Sequence, residues 1–478
     1  MPPSQRFLRR EFLARTAAAA AASALAAPVI IPASVLGADG APPPSQRIAV
    51  GLIGKGVMGS VHLQTLLNEP RVQVLAVCDV DRQRRDAAKQ AVDERYAAAP
   101  AAGCPAYNDY RELLARDDID AVMIATPDHW HALQSVDAAK AGKDVYCEKP
   151  ISMTIREGRR VVDAVRRYGR VFQTGTQYRS NPTIRKVCQF VRDGGLGKIK
   201  SVFTPFNALG GWIGGARFQH VAQVMNAAVC GRSYVPLEFA IPAEPVPEGL
   251  DWDLWVGPAA WHPYNRVYHT NPAPGVVPWS FCESFGVTSL TGFLAHAADV
   301  IQYALGVEES GPIEIVHPDN GQYPTLTCKY ANGTLLHFVD HWGMVKDVYK
   351  AVPADARLAG NFGGVFVGER GWLTSMTGGG KVEGGPSDVL KEVDLDNPDV
   401  RAGRNNHLGN WLDCISTRAR PSCPEELGHR TASLGHLPNI AFWTGRSLKW
   451  DPVKEEFPDD DAANRLRSRA MRAPWSQR

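Results

Sequence analysis

Apolar residues fall into two regimes along this chain. Over the first third, short continuous apolar runs alternate with helical stretches; further on, apolar and polar residues alternate in short pairs of segments. The run IAVGLI within 47–53, bounded by glycines, predicts a buried parallel strand. It runs into Gly54-Lys55-Gly56-Val57-Met58-Gly59 and then a helical pattern carrying Met58, His62, Leu63, Leu66 and Leu67. A second strand, 72–77, stops at Asp79. Further strands at 121–125 and 143–147 enclose a helix that ends near Ala141. This strand–helix alternation predicts a parallel sheet with helices on its faces over residues 47–172.

Residues 173–478 follow another pattern. Segments 199–203 and 325–330 alternate like half-buried strands, and Asn332-Gly333 predicts a type I′ hairpin turn. Segments 364–367 and 372–373 flank a further turn at 369–371. Residues 205–282 are rich in Gly, Pro and Trp with little periodicity, which predicts long loops over a site. The fold class expected is α/β: a Rossmann domain, then an α+β domain with an open, mostly antiparallel sheet and C-terminal helices packing back.

The first 38 residues stand outside that plan. Arg9-Arg10 precede Phe12-Leu13, an Ala-rich run and small residues near Ala38. The order matches an export signal, and the twin arginines resemble the Tat type, which exports folded protein to the periplasm. Residues 39–46, with three consecutive prolines, predict an extended linker.

The glycines of the first turn have separable tasks. Gly54 permits the tight turn, Gly56 lets the backbone approach a pyrophosphate, and Gly59 lets helix and strand pack closely. Val57 and Met58 open the helix whose amides receive the phosphates. Asp79, twenty residues after Gly59, stands where an acid accepts ribose hydroxyls. An acid there repels a 2′-phosphate and favours NAD; Arg82, Arg84 and Arg85 keep NADP open. Thr126-Pro127-Asp128-His129-Trp130-His131 and Glu148-Lys149-Pro150 follow two more strands, at the sheet end where open α/β folds bind ligands. Asp128 is expected to cap its helix.

Composition narrows the partners. Among 478 residues, 52 are basic and 50 acidic, which argues against nucleic acid. Residues 1–38 hold four arginines and one glutamate, so their removal would turn the net charge from +2 to −1. No apolar run is long enough to span a bilayer. Nine cysteines without a CxxC pair, and histidines without HExxH spacing, predict neither a disulfide scaffold nor a metal site.

The stretches GLIGKGVMG, VCDVD, ATPDHWHA, GKDVYCEKPI, GTQYRSNP, GLDWDLWVGPA, HAADVIQYALG and GHRTASLGHLPNIAFWTGRSLKWDP resemble the Gfo/Idh/MocA oxidoreductase family, which includes glucose–fructose oxidoreductase and inositol dehydrogenase. The resemblance covers nearly all of residues 47–478. It implies that Lys149 of the EKP motif contacts the nicotinamide ribose and the substrate hydroxyl and helps move the proton. It also implies cofactor contacts from Glu148, Thr126, Pro127, His129, Trp130 and His131, and oligomers formed through the second sheet. Gln177 and Arg179 are expected to face substrate, and so is Asp299. In inositol-dehydrogenase-like members an Asp precedes a catalytic His by four residues. His296 matches that His, but the Asp position is Gly292, and Leu294 and Ser280 replace the usual Gly and Arg. His262, Tyr264, Tyr268, His269 and Glu283 are the candidate substitutes. Trp212, Trp252, Trp255, Trp261 and Trp279 either stack on sugar rings or anchor loops.

Three functions are compatible with this pattern. The first is an NAD(P)-dependent oxidoreductase acting on a carbohydrate or polyol with a tightly bound cofactor. The second is a redox-neutral enzyme that cleaves or epimerises sugars through a transient keto-sugar. The third is a non-catalytic sugar or nucleotide sensor.

Overall fold

The computed structural model describes residues 42–43, 46–97, 103–205, 241–270, 278–287, 291–292, 294–360, 363–375, 381–403 and 405–477. The expected export signal, most of the linker, Trp212 and Cys230 lie outside them.

Six strands form the first sheet: β1 (Ile48–Ile53), β2 (Val72–Cys78), β3 (Ala106–Tyr107), β4 (Ala121–Ile124), β5 (Asp144–Cys147) and β6 (Phe172–Thr174). They lie in the order β3-β2-β1-β4-β5-β6, all parallel. The order reverses between β1 and β4, which opens the crevice where such sheets take ligands. The sheet ends at Thr174. Helices α1 (Val57–Leu67), α2 (Asp128–Lys140) and α3 (Ile155–Tyr168) connect and cover the strands. Sequence fixes α3 at both ends. Thr154 accepts from the Glu157 amide, Glu157 accepts in return from the Met153 amide, and Gly169 closes the helix at φ +61°.

The second sheet has eight strands: β7 (Ile199–Pro205), β8 (Glu314–Val316), β9 (Thr327–Lys329), β10 (Leu335–Val339), β11 (Val365–Gly368), β12 (Trp372–Thr374), β13 (Gly384–Gly385) and β14 (Leu448–Lys449). All pairings but β7–β10 are antiparallel. One face buries Val202, Leu336, Phe338 and Phe366 against helices α4 (Pro182–Arg192), α5 (Ala295–Leu305) and α7 (Glu425–Thr444). Part of the other face, at Phe203, Val339 and Val365, is covered by Val345 and Val352 of the chain itself. The β9–β10 turn differs from expectation. Only Gly333 takes a left-handed φ (+88°), and its amide bonds to Tyr330 O. That is a type I turn with a glycine bulge, which needs one left-handed residue where type I′ needs two.

The C-terminal helices tie the sheets together. Helix α6 (His407–Thr417) sends Trp411 and Leu412 into the core beneath β1 and β5. A Cβ on Gly428 would come within 2.1 Å of Thr174 Oγ1, so only glycine lets α7 lie directly on β6. No helix among the described residues is long and apolar enough to cross a membrane.

Candidate active site

The glycine turn after β1 builds one wall of a cleft at the β1/β4 crevice. Gly54 takes φ +90°, and a Cβ there would press on the Ala125 carbonyl at 2.8 Å. A Cβ on Gly59 would fall 2.0 Å from Gly54 O. Both glycines are required by the protein's own packing. Gly56 is different, because its Cβ would meet no protein atom within 4 Å. It also starts α1 without a side-chain cap. An uncapped helix N-terminus facing open space suits a pyrophosphate.

Asp79 lies at the end of β2, with Oδ2 accepting from the Lys55 amide (2.7 Å) and Oδ1 from the Asp81 amide (2.9 Å). These bonds fix the carboxylate while leaving lone pairs for a ribose diol. Two of the neighbouring arginines have partners: Arg85 donates to Asp79 O (2.6 Å) and Arg84 to His269 O (2.9 Å). His269 lines the cleft 3.1 Å from Asp81 Oδ2. The glycine turn and Asp79 together fit a nicotinamide dinucleotide.

Residues 249–270 and 278–287 close the cleft from the side. Arg82 and Asp251 exchange backbone hydrogen bonds with Gly249 and Val80, and Asn108 donates to Asp251 Oδ2 (2.8 Å). Trp252 stacks on Trp255 at 4.7 Å within a buried aromatic cluster that also holds Tyr264, Tyr268 and Phe285. Trp252 is thus a loop anchor, whereas Trp255 and Trp279 also line the cleft. Trp261 is exposed under Arg472. His262 is bonded to Ser284 Oγ (2.9 Å) inside the cluster.

The far end of the cleft holds Glu148, Lys149, Asp128 and Gly292. Glu148 Oε1 is 2.7 Å from His62 Nε2, a partner that the helical pattern of α1 did not single out. Burial works to raise the Glu148 carboxyl, but the His62 hydrogen bond and charge, with Lys149 and His296, outweigh it and bring it to about 2. Lys149 Nζ donates to Gly292 O at 3.1 Å. His131 holds this strand end in place, with ring nitrogens 2.7 Å from Pro150 O and 2.8 Å from Thr126 O. Thr126, Pro127 and Trp130 line the same wall.

Several expected roles change. Asp128 does not cap α2: Pro127 is the N-cap residue and makes no side-chain bond, so the Asp128 carboxyl is left to face the cleft. His129 is not among the cleft-lining residues; it is buried with its ring nitrogens near Phe285 O (3.2 Å) and Trp255 O (3.0 Å), joining α2 to the covering loop. Among the described residues, Arg179 and Asp299 do not line the cleft either. They form a buried ion pair, because each is a charge that needs its partner in the interior. Gln177 sits on the neighbouring 3-10 turn, also away from the cleft lining. His296 packs edge-on to Tyr178 at 4.7 Å, outside the lining; burial first, then the Lys149 charge, lowers its pKa to about 3. It is therefore neutral at pH 7 and a weak base.

Comparison with known proteins agrees with this architecture. Residues 48–176 match the oxidoreductase family NAD-binding Rossmann fold (GFO_IDH_MocA), and residues 234–370 and 381–477 match its C-terminal alpha/beta domain. Among curated relatives, an uncharacterized oxidoreductase YrbE of Bacillus subtilis is 31% identical over 32% of this chain and 42% of its own length. A glycosyl hydrolase family 109 protein of Shewanella pealeana is 35% identical over 26% of this chain and 27% of its own length. The chain thus matches less than half the length of these relatives. Among solved structures, an oxidoreductase domain protein from Kribbella flavida has a TM-score of 0.51 at 18% identity, covering 84% of this chain and 99% of its own. The WlbA dehydrogenase from Bordetella pertussis, solved with NADH and UDP-GlcNAcA, has a TM-score of 0.50 at 16% identity, covering 86% and 99%. These likenesses place the fold.

Proposed function

The chain belongs to the Gfo/Idh/MocA oxidoreductase family, and from that premise we propose that it oxidises or reduces a carbohydrate or polyol at a hydroxyl-bearing carbon, using tightly held NAD. The observation that carries this reading is one cleft with an open glycine turn at one end and a lysine at the other. Bound nicotinamide would supply a hydride acceptor or donor. Gly56, Val57 and Met58 would cradle the phosphates, and Asp79 would take the ribose hydroxyls, favouring NAD over NADP. Lys149, held by Gly292 O, would orient the substrate hydroxyl and stabilise charge on its oxygen. Trp255 and Trp279 would exclude water and offer flat faces to a sugar ring. The twin arginines support export by the Tat route, which would require the cofactor to be loaded before export. Assembly through the second sheet is part of the same proposal.

A redox-neutral variant has its own support. The family 109 relatives include an alpha-N-acetylgalactosaminidase of Shewanella oneidensis, 34% identical over 26% of this chain, and Gly292 leaves out the usual acid. In that variant oxidation to a keto-sugar would acidify the adjacent C–H, loss of that proton would expel the glycosidic leaving group, water would add in its place, and the hydride would return to the carbonyl carbon.

Denaturing the purified protein and identifying any released nicotinamide by mass spectrometry tests cofactor use. Holoprotein is then given single sugars, sugar pairs and glycosides while cofactor absorbance and product mass are followed. Lasting reduction by a single sugar supports net oxidation; product without lasting reduction supports the redox-neutral variant or a paired cycle of two sugars. Protein that neither carries nor binds a nicotinamide would sink both.

A further inference from the structure

The Asp128 carboxyl lacks the structural task its position suggests. It stands in the first turn of α2, yet the N-cap is Pro127 and no side-chain cap bond is made. The side chain is buried at 5% exposure, and among the described residues Oδ2 accepts a long bond from the Val287 amide, at 3.4 Å. Gly292 explains the room around it. A Cβ on Gly292 would come to 3.9 Å from Asp128 Oδ2, and the Gly292 carbonyl is the group that holds Lys149 Nζ at 3.1 Å. The carboxyl of one segment and the ammonium of another therefore converge on one glycine, and all three line the cleft. A side chain of any size at 292 would fill the space into which the carboxyl points.

We propose that Asp128 is a further catalytic acid–base residue of this site, exchanging the proton of the substrate hydroxyl in the space Gly292 leaves open. The inference rests on the oxidoreductase reading above. In the oxidising direction the substrate O–H and the C–H of the same carbon break and a C=O bond forms. The proton goes to the Asp128 carboxylate, and the hydride leaves with its electron pair to oxidised NAD. In the reverse direction the carboxylic acid returns the proton. Lys149 holds the substrate oxygen throughout.

The surroundings suit the role. Burial is the largest influence and raises the Asp128 carboxyl; Lys149 and the Val287 amide pull it down, Glu148 pushes it up, and the balance is about 7. On its own helix, burial lowers both His129, to about 4, and His131. An acid poised near pH 7 transfers protons in both directions. His296, at about 3, does not.

The test compares the full-length protein with Asp128→Asn, which keeps the shape and can still accept from Val287. Carboxyl NMR of 13C-aspartate-labelled protein should show one resonance titrating with a midpoint near pH 7, missing in D128N. NADH binding, followed by fluorescence, should stay within about twofold. Turnover of whichever sugar is active in a panel of hexoses, inositols and p-nitrophenyl N-acetylhexosaminides should fall by about 100-fold or more and lose its inflection near pH 7. Absence of an aspartate titrating between pH 6 and 8 overturns the inference, as does D128N turnover with the inflection intact. If the parent protein binds no NADH or turns over none of the panel, the oxidoreductase reading fails instead, and this inference falls with it.

Discussion

Arg179 donates two parallel hydrogen bonds to Asp299, Nε to Oδ2 at 2.8 Å and Nη2 to Oδ1 at 2.7 Å, with both side chains buried. Cys423 and Thr431 lie against the same carboxylate. The pair joins the turn after β6 to helix α5, so it sets how the second domain's first helices sit. Removing one partner strands a buried charge, at a cost of about 3–5 kcal/mol. Asp299→Asn should accordingly lower the urea midpoint sharply while NADH affinity of the folded fraction stays unchanged. A stable D299N protein with weakened ligand binding would return Asp299 to the cleft.

Gly56 and Gly59 should separate in the opposite way. Gly59→Ala drives a methyl into the Gly54 carbonyl and should destabilise by about 1–3 kcal/mol. Gly56→Ala meets only open space, so melting of the apo protein should not change, whereas NADH affinity should fall at least about tenfold. Thermal melts and fluorescence titrations of both variants check the contrast.

Asp79 should set the cofactor preference. Asp79→Ser removes the charge that repels a 2′-phosphate and part of the ribose contact, worth about 1.5–3 kcal/mol for bonds to a charged group. NADH binding should weaken by about tenfold or more, with the NADPH-to-NADH affinity ratio rising. An unchanged ratio would remove Asp79 from the ribose.

Glu148 makes acid stability measurable. Its folded value of about 2 lies below the ordinary 4.5. The carboxylate's contribution is therefore complete above about pH 4.5 and is lost as pH falls through 2. A shift of that size corresponds to roughly 3 kcal/mol. Glu148→Gln should be less stable than the parent by that order at pH 7, and the two should converge towards pH 2 in urea unfolding.

Much of the site was legible in the sequence because its geometry is local. The three glycines of residues 54–59 and the acid at 79 follow from one strand, one turn and one helix: packing holds Gly54 and Gly59, Gly56 faces open space, and Asp79 accepts from the Lys55 amide. Arg179 and Asp299 meet across 120 residues, and no short-range pattern reports such a pair. An Asp before a helical run usually caps it, but here the helix begins at Asp128 itself, with Pro127 as its N-cap. Gly292 was visible as a departure from the family pattern, but its consequence needed the Asp128 carboxyl in three dimensions. His62 and His129 were equally beyond reach, since their partners lie on other strand ends and loops.

In the proposed reaction a sugar hydroxyl carbon and a bound nicotinamide exchange a hydride beside Lys149. Its most direct test loads the protein with NADH dideuterated at nicotinamide C4, adds the keto form of the active sugar, and follows the label by mass spectrometry. The account predicts deuterium on a single sugar carbon, with transfer abolished in Lys149→Ala although cofactor remains bound. Deuterium that stays on the nicotinamide while the sugar is converted, or full transfer in K149A, would contradict it.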